Sequence, residues 1–280
     1  MVDRYSRQIL FSDIGKKGQK RLGNSCVVLI GCGGLGTIMA TSLVRAGVGK
    51  IKIIDRDFIE YHNLQRQVLF DEEDIKNQLP KAIAAERHLK KANSSVEIEG
   101  IVADVNYTNI ETLINGANLI LDGLDNFETR FLINDVSLKH KIPWVYGSAI
   151  ASLGMTMTII PGVTPCFRCV FAHQPSRGKI LTCDTAGIIS PAPSVIGSLQ
   201  SAEAMKILVG AEREINRDLV MIDVWEGSFH RFRISPRPDC PACQSRYEFL
   251  EAKFGIKTTA LCGQNAVQVL NANVGKLSLD

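Results

Sequence analysis

The sequence predicts an α/β fold: a doubly wound, mostly parallel sheet extended by antiparallel strands. Two observations carry this. Short continuous apolar runs alternate with helical stretches, the pattern of strands buried on both faces. The first run leads at once into a glycine-rich turn, and the second ends in an acid. Residues 3–22 read as one helix with its apolar side at Ile9, Leu10, Ile14 and Leu22. Cys26–Ile30 is a strand, Gly31–Gly36 the turn, Thr37–Ala46 a helix, and Lys50–Asp55 the next strand. The alternation continues with helix Pro80–Lys91, strand Val96–Val102, strand Leu119–Asp122, helix Phe127–Lys141 and strand Trp144–Ala149. Pro80 suits a first helical turn. Later, Gly154–Ile160 and Leu219–Ile234 read as extended and antiparallel, and Ser194–Leu208 as a helix. Residues 173–191 lack periodicity and suggest a mobile loop. Trp144 and Trp225 read as strand-core residues.

Composition bounds the function. The chain has 280 residues, 45% hydrophobic and 22% charged, enough for one large domain with a modest appendage. A net charge of +3, with the bases dispersed, argues against nucleic acid as a partner. The densest run, Lys16, Lys17, Lys20 and Arg21, reads as a solvated helix face. No apolar stretch of about 18 residues suggests a membrane span. Met1–Tyr5 lacks the apolar core of a secretion signal, so a cytoplasmic location is expected and disulfides are not.

Gly31, Gly33 and Gly36 satisfy GxGxxG between a strand and a helix, the Rossmann-like arrangement. Glycines let the backbone approach a phosphate, and the helix N-terminus adds partial positive charge. Asp55, nineteen residues after Gly36, can bind ribose hydroxyls. Alone, this fits a nicotinamide or flavin oxidoreductase, and a glycine turn that only aids packing is the plainer alternative. Arg66, Lys81 and Asp125 change the balance. An Arg, a Lys and an Asp converging on a phosphate chain suit nucleotidyl transfer, where cations offset triphosphate charge and a carboxylate holds Mg²⁺.

Four of the eight cysteines form two pairs, Cys166/Cys169 and Cys240/Cys243. Two CxxC pairs make a closed tetrahedral zinc pattern, structural rather than catalytic, with redox chemistry the alternative. Cys26 and Cys32 read as small packing residues. Cys183 stands alone in the expected mobile loop.

Together these segments resemble the ThiF/MoeB (HesA/MoeB/ThiF) family, bacterial relatives of ubiquitin-activating enzymes. The match runs through Arg4–Gln8, GCGGLG, Asp55–Asp57, Asn63–Gln67, Pro80–Lys81, Leu124–Asn126, both CxxC pairs and Ile196–Gln200, and covers about residues 3–245. The resemblance implies an adenylyltransferase. Gly34 would lie against the ATP phosphates and Asp55 would bind ribose. The segment His62, Asn63, Leu64, Gln65 and Arg66 would contact the nucleotide, His62 through its backbone. Arg66 and Lys81 would stabilise departing pyrophosphate. Asp125 would hold Mg²⁺ with Asn126 beside it, and Arg7 would reach into the ATP site across a homodimer. Asp57 and Arg130 are secondary candidates, their plainer readings a loop cap and a surface ion pair. Related enzymes place a reactive cysteine where Cys183 stands.

The implied substrate is a small ubiquitin-like sulfur-carrier protein, of ThiS or MoaD type, with a C-terminal Gly-Gly. Its adenylation would serve thiamine thiazole or molybdopterin synthesis. Sulfur would come from a separate donor such as a cysteine desulfurase. Residues 3–245 would form the adenylation domain: a nucleotide-binding half to about 150, then a carrier-binding and zinc half. Residues 246–280 resemble part of a C-terminal extension. The competing expectations are the oxidoreductase and a non-catalytic binding module on the same scaffold.

Overall fold

The computed structural model describes residues 4–174, 183–253, 258–261 and 266–269. In chain order the elements are α1 (Ser6–Leu10), α2 (Gly15–Leu22), β1 (Cys26–Ile30), α3 (Gly34–Ala46), β2 (Lys50–Ile54), α4 (Glu72–Lys76), α5 (Lys81–Ala92) and β3 (Glu97–Ile101). Then come α6 (Ile110–Leu113), β4 (Leu119–Asp122), α7 (Phe127–His140), β5 (Trp144–Ile150), β6 (Leu153–Ile159), α8 (Phe167–Val170) and α9 (Cys183–Ala186). α10 (Pro191–Val209), β7 (Leu219–Asp223), β8 (Ser228–Phe232), β9 (Thr258–Leu261) and β10 (Ala266–Val269) complete them.

Eight strands form one sheet in the order β3-β2-β1-β4-β5-β6-β7-β8. β3 to β5 run parallel, and β6, β7 and β8 add on antiparallel. β9 and β10 pair separately. The apolar strands explain themselves in packing. Val27 and Leu29 face one core with α3, α5 and α10, whereas Val28 and Ile30 face a second with α7. Leu121 and Ile120 divide the same way, as do Val145 and Trp144. Alternate residues thus bury into opposite layers, which is why these strands read as continuous apolar runs.

α10 packs tightly on α3. A Cβ added at Gly197 would lie 2.9 Å from Ile38 Cβ, so only glycine lets the two helices approach this closely.

Several expectations need correction. Residues 3–22 are two helices, not one. The chain turns extended at Phe11 and passes through a left-handed φ of +52° at Gly15, and Leu10 ends up exposed. The span Leu219–Ile234 is extended and antiparallel as expected, a hairpin of β7 and β8 with Gly227 in the turn at φ +71°. Trp144 is buried in the core, but Trp225 lies in that turn and is 80% exposed. Cys26 is only half-buried, at the first position of β1. Of the expected loop at 173–191, residues 175–182 lie outside those described. No described helix is long and apolar enough to cross a membrane.

Candidate functional site

The site gathers at the C-terminal ends of β1, β2 and β4, where ligands sit in such sheets. Backbone geometry brings three segments together. Gly31 N–H donates to Ile54 O at 2.8 Å, and Gly123 N–H to Ile30 O at 2.8 Å. Gly31 adopts φ +89°, and a Cβ there would stand 2.7 Å from the carbonyl carbon of Gly123. A Cβ on Gly123 would stand 2.3 Å from Gly31 O. The glycine turn after β1 and the loop after β4 therefore touch backbone to backbone.

Asp55 fastens this turn. Its Oδ2 accepts from Cys32 N–H at 2.6 Å and its Oδ1 from Asp57 N–H at 2.8 Å. Burial raises its pKa, Lys81 opposes the rise, and Asp57 adds to it. Lys81, the first residue of α5, is 7% exposed and sends Nζ to Asp57 Oδ2 at 3.0 Å. Its burial would lower its pKa, but Asp55, Asp57 and Asp125 outweigh that, and the ammonium is held above its ordinary value. Asp57 is thus an ion-pair partner of Lys81.

The segment after β2 covers the turn. Asn63 is buried, and its Oδ1 accepts from Glu60 N–H at 3.1 Å. Arg66 Nη1 donates to His62 O at 2.9 Å. A Cβ on Gly34 would lie 3.6 Å from Arg66 Cγ and 3.1 Å from Pro193 Cβ of α10. Gly34 therefore lies close against Pro193, with Arg66 beside it. His62 and Gln65 are exposed, Leu64 half-buried. Gln67 is a residue to which sequence reasoning gave no role. It is 4% exposed beneath the turn, and its Oε1 has no partner among the described residues.

Asp125 is exposed beyond β4, and Asn126 caps α7 by accepting from Thr129 N–H at 3.0 Å. Arg130 is not a surface residue. It is 3% exposed, and Nε meets the fully buried Asp122 Oδ2 at 2.9 Å. Arg7 is exposed on α1. Cys183 begins α9, and its side chain lies outside the described residues.

The four cysteines meet as a cluster. Sγ separations are 3.7 Å for Cys166–Cys169, 3.5 Å for Cys166–Cys240, 3.6 Å for Cys169–Cys243 and 3.4 Å for Cys166–Cys243. A tetrahedral zinc with bonds of about 2.3 Å sets its sulfurs roughly 3.8 Å apart, so the cluster fits that ion. Sharing of protons with Cys166 pushes the Cys169 and Cys240 thiols down, Cys240 to about 6. Arg237 N–H also donates to Cys169 Sγ at 3.4 Å.

The core holds both cysteine segments through neighbouring residues of α7. Asn134 Oδ1 accepts from Phe167 N–H at 2.8 Å, and Asp135 Oδ2 from Phe249 N–H at 2.8 Å. Arg168, 6% exposed, joins the segments through Glu248 at 2.9 Å.

Comparison with known proteins agrees with this geometry. The ThiF family model matches residues 5–242. The chain is 44% identical to the sulfur carrier protein ThiS adenylyltransferase of Bacillus subtilis (strain 168), across 100% of this chain and 83% of that one. It is 36% identical to the SAMP-activating enzyme E1 of Haloferax volcanii, covering 86% of this chain and 88% of the relative. Among solved structures, E. coli MccB with ATP superposes with a TM-score of 0.76 at 26% identity, over 87% of this chain and 75% of MccB.

Proposed function

Since this chain belongs to the ThiF family, we propose that it is an ATP-dependent adenylyltransferase activating the C-terminal Gly-Gly carboxylate of a small ubiquitin-like sulfur-carrier protein. One observation carries the reading. Lys81, nearly buried, is flanked by Asp55, Asp57 and Asp125 at the mouth of a glycine turn that is contacted by the β4 loop. A dehydrogenase needs no such arrangement, whereas phosphate transfer uses both its cation and its carboxylates.

The glycine turn and the start of α3 would receive the phosphates, and Asp55 the ribose. Asn63 and Arg66 would line the phosphate chain, with His62, Leu64 and Gln65 in the same segment. Asp125, with Asn126 beside it, would hold Mg²⁺, which would supply charge stabilisation to the phosphates. A carrier carboxylate oxygen attacks the α-phosphorus, the bond to the bridging oxygen breaks, and pyrophosphate leaves. The attacking carboxylate is ionised at neutral pH, so no general base is required. The protein aligns the two reactants and stabilises charge through Lys81 and Arg66.

Arg7, exposed on α1, would complete the site of a second copy in a homodimer. Cys183 is the candidate for handling the activated carrier. The four cysteines would hold a structural zinc, as their separations fit. Residues 3–245 would be the adenylation domain, its halves meeting near residue 150, and 246–280 part of an extension. The 44% identity to a ThiS adenylyltransferase favours a ThiS-type carrier and thiamine thiazole synthesis over a MoaD-type carrier. A desulfurase-type donor would supply the sulfur.

Intact-mass analysis tests this. After incubation with Mg-ATP and the protein, a ThiS-type carrier should gain the mass of one adenylyl group (AMP less one water), and a carrier lacking the terminal glycine should not. A carrier of unchanged mass, with a folded enzyme, would withdraw the reading.

A further inference from the structure

Asp122 and Arg130 form an ion pair that the proposed chemistry does not itself use, and both are buried. A buried pair is weak evidence for stability, because removing two charges from water costs about as much as their attraction returns. What the pair holds is more informative. Asp122 Oδ1 accepts from Leu124 N–H at 2.9 Å, and Arg130 Nη2 donates to Leu124 O at 2.5 Å. Both backbone groups of the residue before Asp125 are therefore gripped by this one pair. On the other side, Asn126 is fixed as the cap of α7.

The anchor extends into the sheet and α10. Arg130 Nη2 also donates to Gly147 O of β5 at 2.8 Å, and its guanidinium lies 5.2 Å from the centre of the Tyr146 ring. Gln200, fully buried in α10, donates from Nε2 to Asp122 O at 2.8 Å and to Val145 O at 3.2 Å. Its amide lies so close over Gly147 that a Cβ there would be 2.4 Å away. This gives a role to Gln200 of the Ile196–Gln200 segment.

We propose that the Asp122–Arg130 pair, braced by Gln200, is a positioning device that fixes the Leu124–Asp125 peptide and so aims Asp125 at the metal-bound nucleotide. The inference rests on the proposed adenylation chemistry. Arg130→Lys keeps the charge beside Asp122 but lacks the planar guanidinium that sets Nε on Asp122 while Nη2 reaches Leu124 O and Gly147 O. A misplacement of about 1 Å can cost on the order of 10²-fold in rate.

The test is a double-mutant cycle in carrier-dependent ATP–pyrophosphate exchange on the full chain, with Arg130→Lys, Asp125→Asn and the pair. Zinc content and thermal melting serve as controls for folding. Arg130→Lys should lower kcat about 10–10²-fold and raise the Mg²⁺ concentration for half-maximal rate several-fold, with KM for ATP changed less than about threefold. In the Asp125→Asn background it should have almost no further effect. A folded Arg130→Lys with wild-type rate and Mg²⁺ dependence would overturn the inference alone. Full additivity with Asp125→Asn would overturn it too. A wild-type protein without exchange would overturn the adenylation reading, and this inference with it. Should Arg130→Lys lose its fold, Gln200→Met, which removes both amide bonds, is read against the same criteria.

Discussion

Lys81 is tied to Asp57 twice: its Nζ lies 3.0 Å from Asp57 Oδ2, and its backbone N–H donates to Asp57 O at 2.9 Å. The loop after β2 and the start of α5 thus move as one, and the ammonium is fixed beside the glycine turn. Replacing Lys81 by alanine should cost about 10²–10³-fold in exchange rate. The flanking acids raise the Lys81 pKa above its ordinary value. The ammonium therefore persists to high pH, and the rate should show no decline from this group between roughly pH 8 and 10. Steady-state rates across that range check both statements.

The backbone contact of Gly31 with Gly123 makes a second prediction. Gly31→Ala forces an L-residue to φ +89° and puts a Cβ 2.7 Å from a carbonyl carbon. Denaturant unfolding should show a loss of at least about 1–3 kcal/mol from strain alone. Nucleotide binding should fall as well, since the turn and the Asp125 loop are pushed apart. Equilibrium dialysis with ATP measures the second effect.

Zinc removal forms a third. With the proposed ion in place, metal analysis should find about one zinc per chain. Chelation, or Cys240→Ser, should loosen the packing of α8 on α7 and β5 and lower the melting temperature by about 10 °C. That corresponds to several kcal/mol at roughly 2–4 °C per kcal/mol. Metal content well below half of one per chain in the purified protein would contradict the zinc assignment.

Asp135 supplies a pH dependence. Burial, opposed by the Phe249 and Leu250 N–H groups, pushes its carboxyl up to about 6 from 3.8. The folded state binds this proton more tightly than the unfolded state. The stabilising contribution is therefore full below the unfolded value and is lost as pH rises from about 4 through 6. Its upper size is on the order of 3 kcal/mol. Asp135→Asn should flatten that portion of the stability–pH curve, as read by urea unfolding at several pH values. An unchanged slope would show that Asp135 is not its source.

Much of this site was legible in the sequence because its grammar is local. GCGGLG between a strand and a helix, an acid closing the next strand, and two CxxC pairs each announce themselves within a few residues. What was hidden depends on tertiary meetings. Arg130 stayed a secondary candidate, with a surface ion pair as its plainer reading, because its burial arises only where β4, β5 and α7 converge. Gln200 stood out only as part of the Ile196–Gln200 segment and its role did not show, since its partners are carbonyls 78 and 55 residues away. Helical periodicity ran on past Gly15, so the break between α1 and α2 did not show. Trp225 illustrates the converse: an aromatic amid strand-like sequence was expected inside, yet it sits at a hairpin turn facing solvent.

The most direct test of the central claim is ATP–pyrophosphate exchange with Mg-ATP and, in turn, a ThiS-type and a MoaD-type carrier ending in Gly-Gly. The account predicts exchange that depends on the ThiS-type carrier and is lost on Asp125→Ala or on deletion of the terminal glycine. No exchange with either carrier, from a folded and zinc-loaded protein, would contradict it.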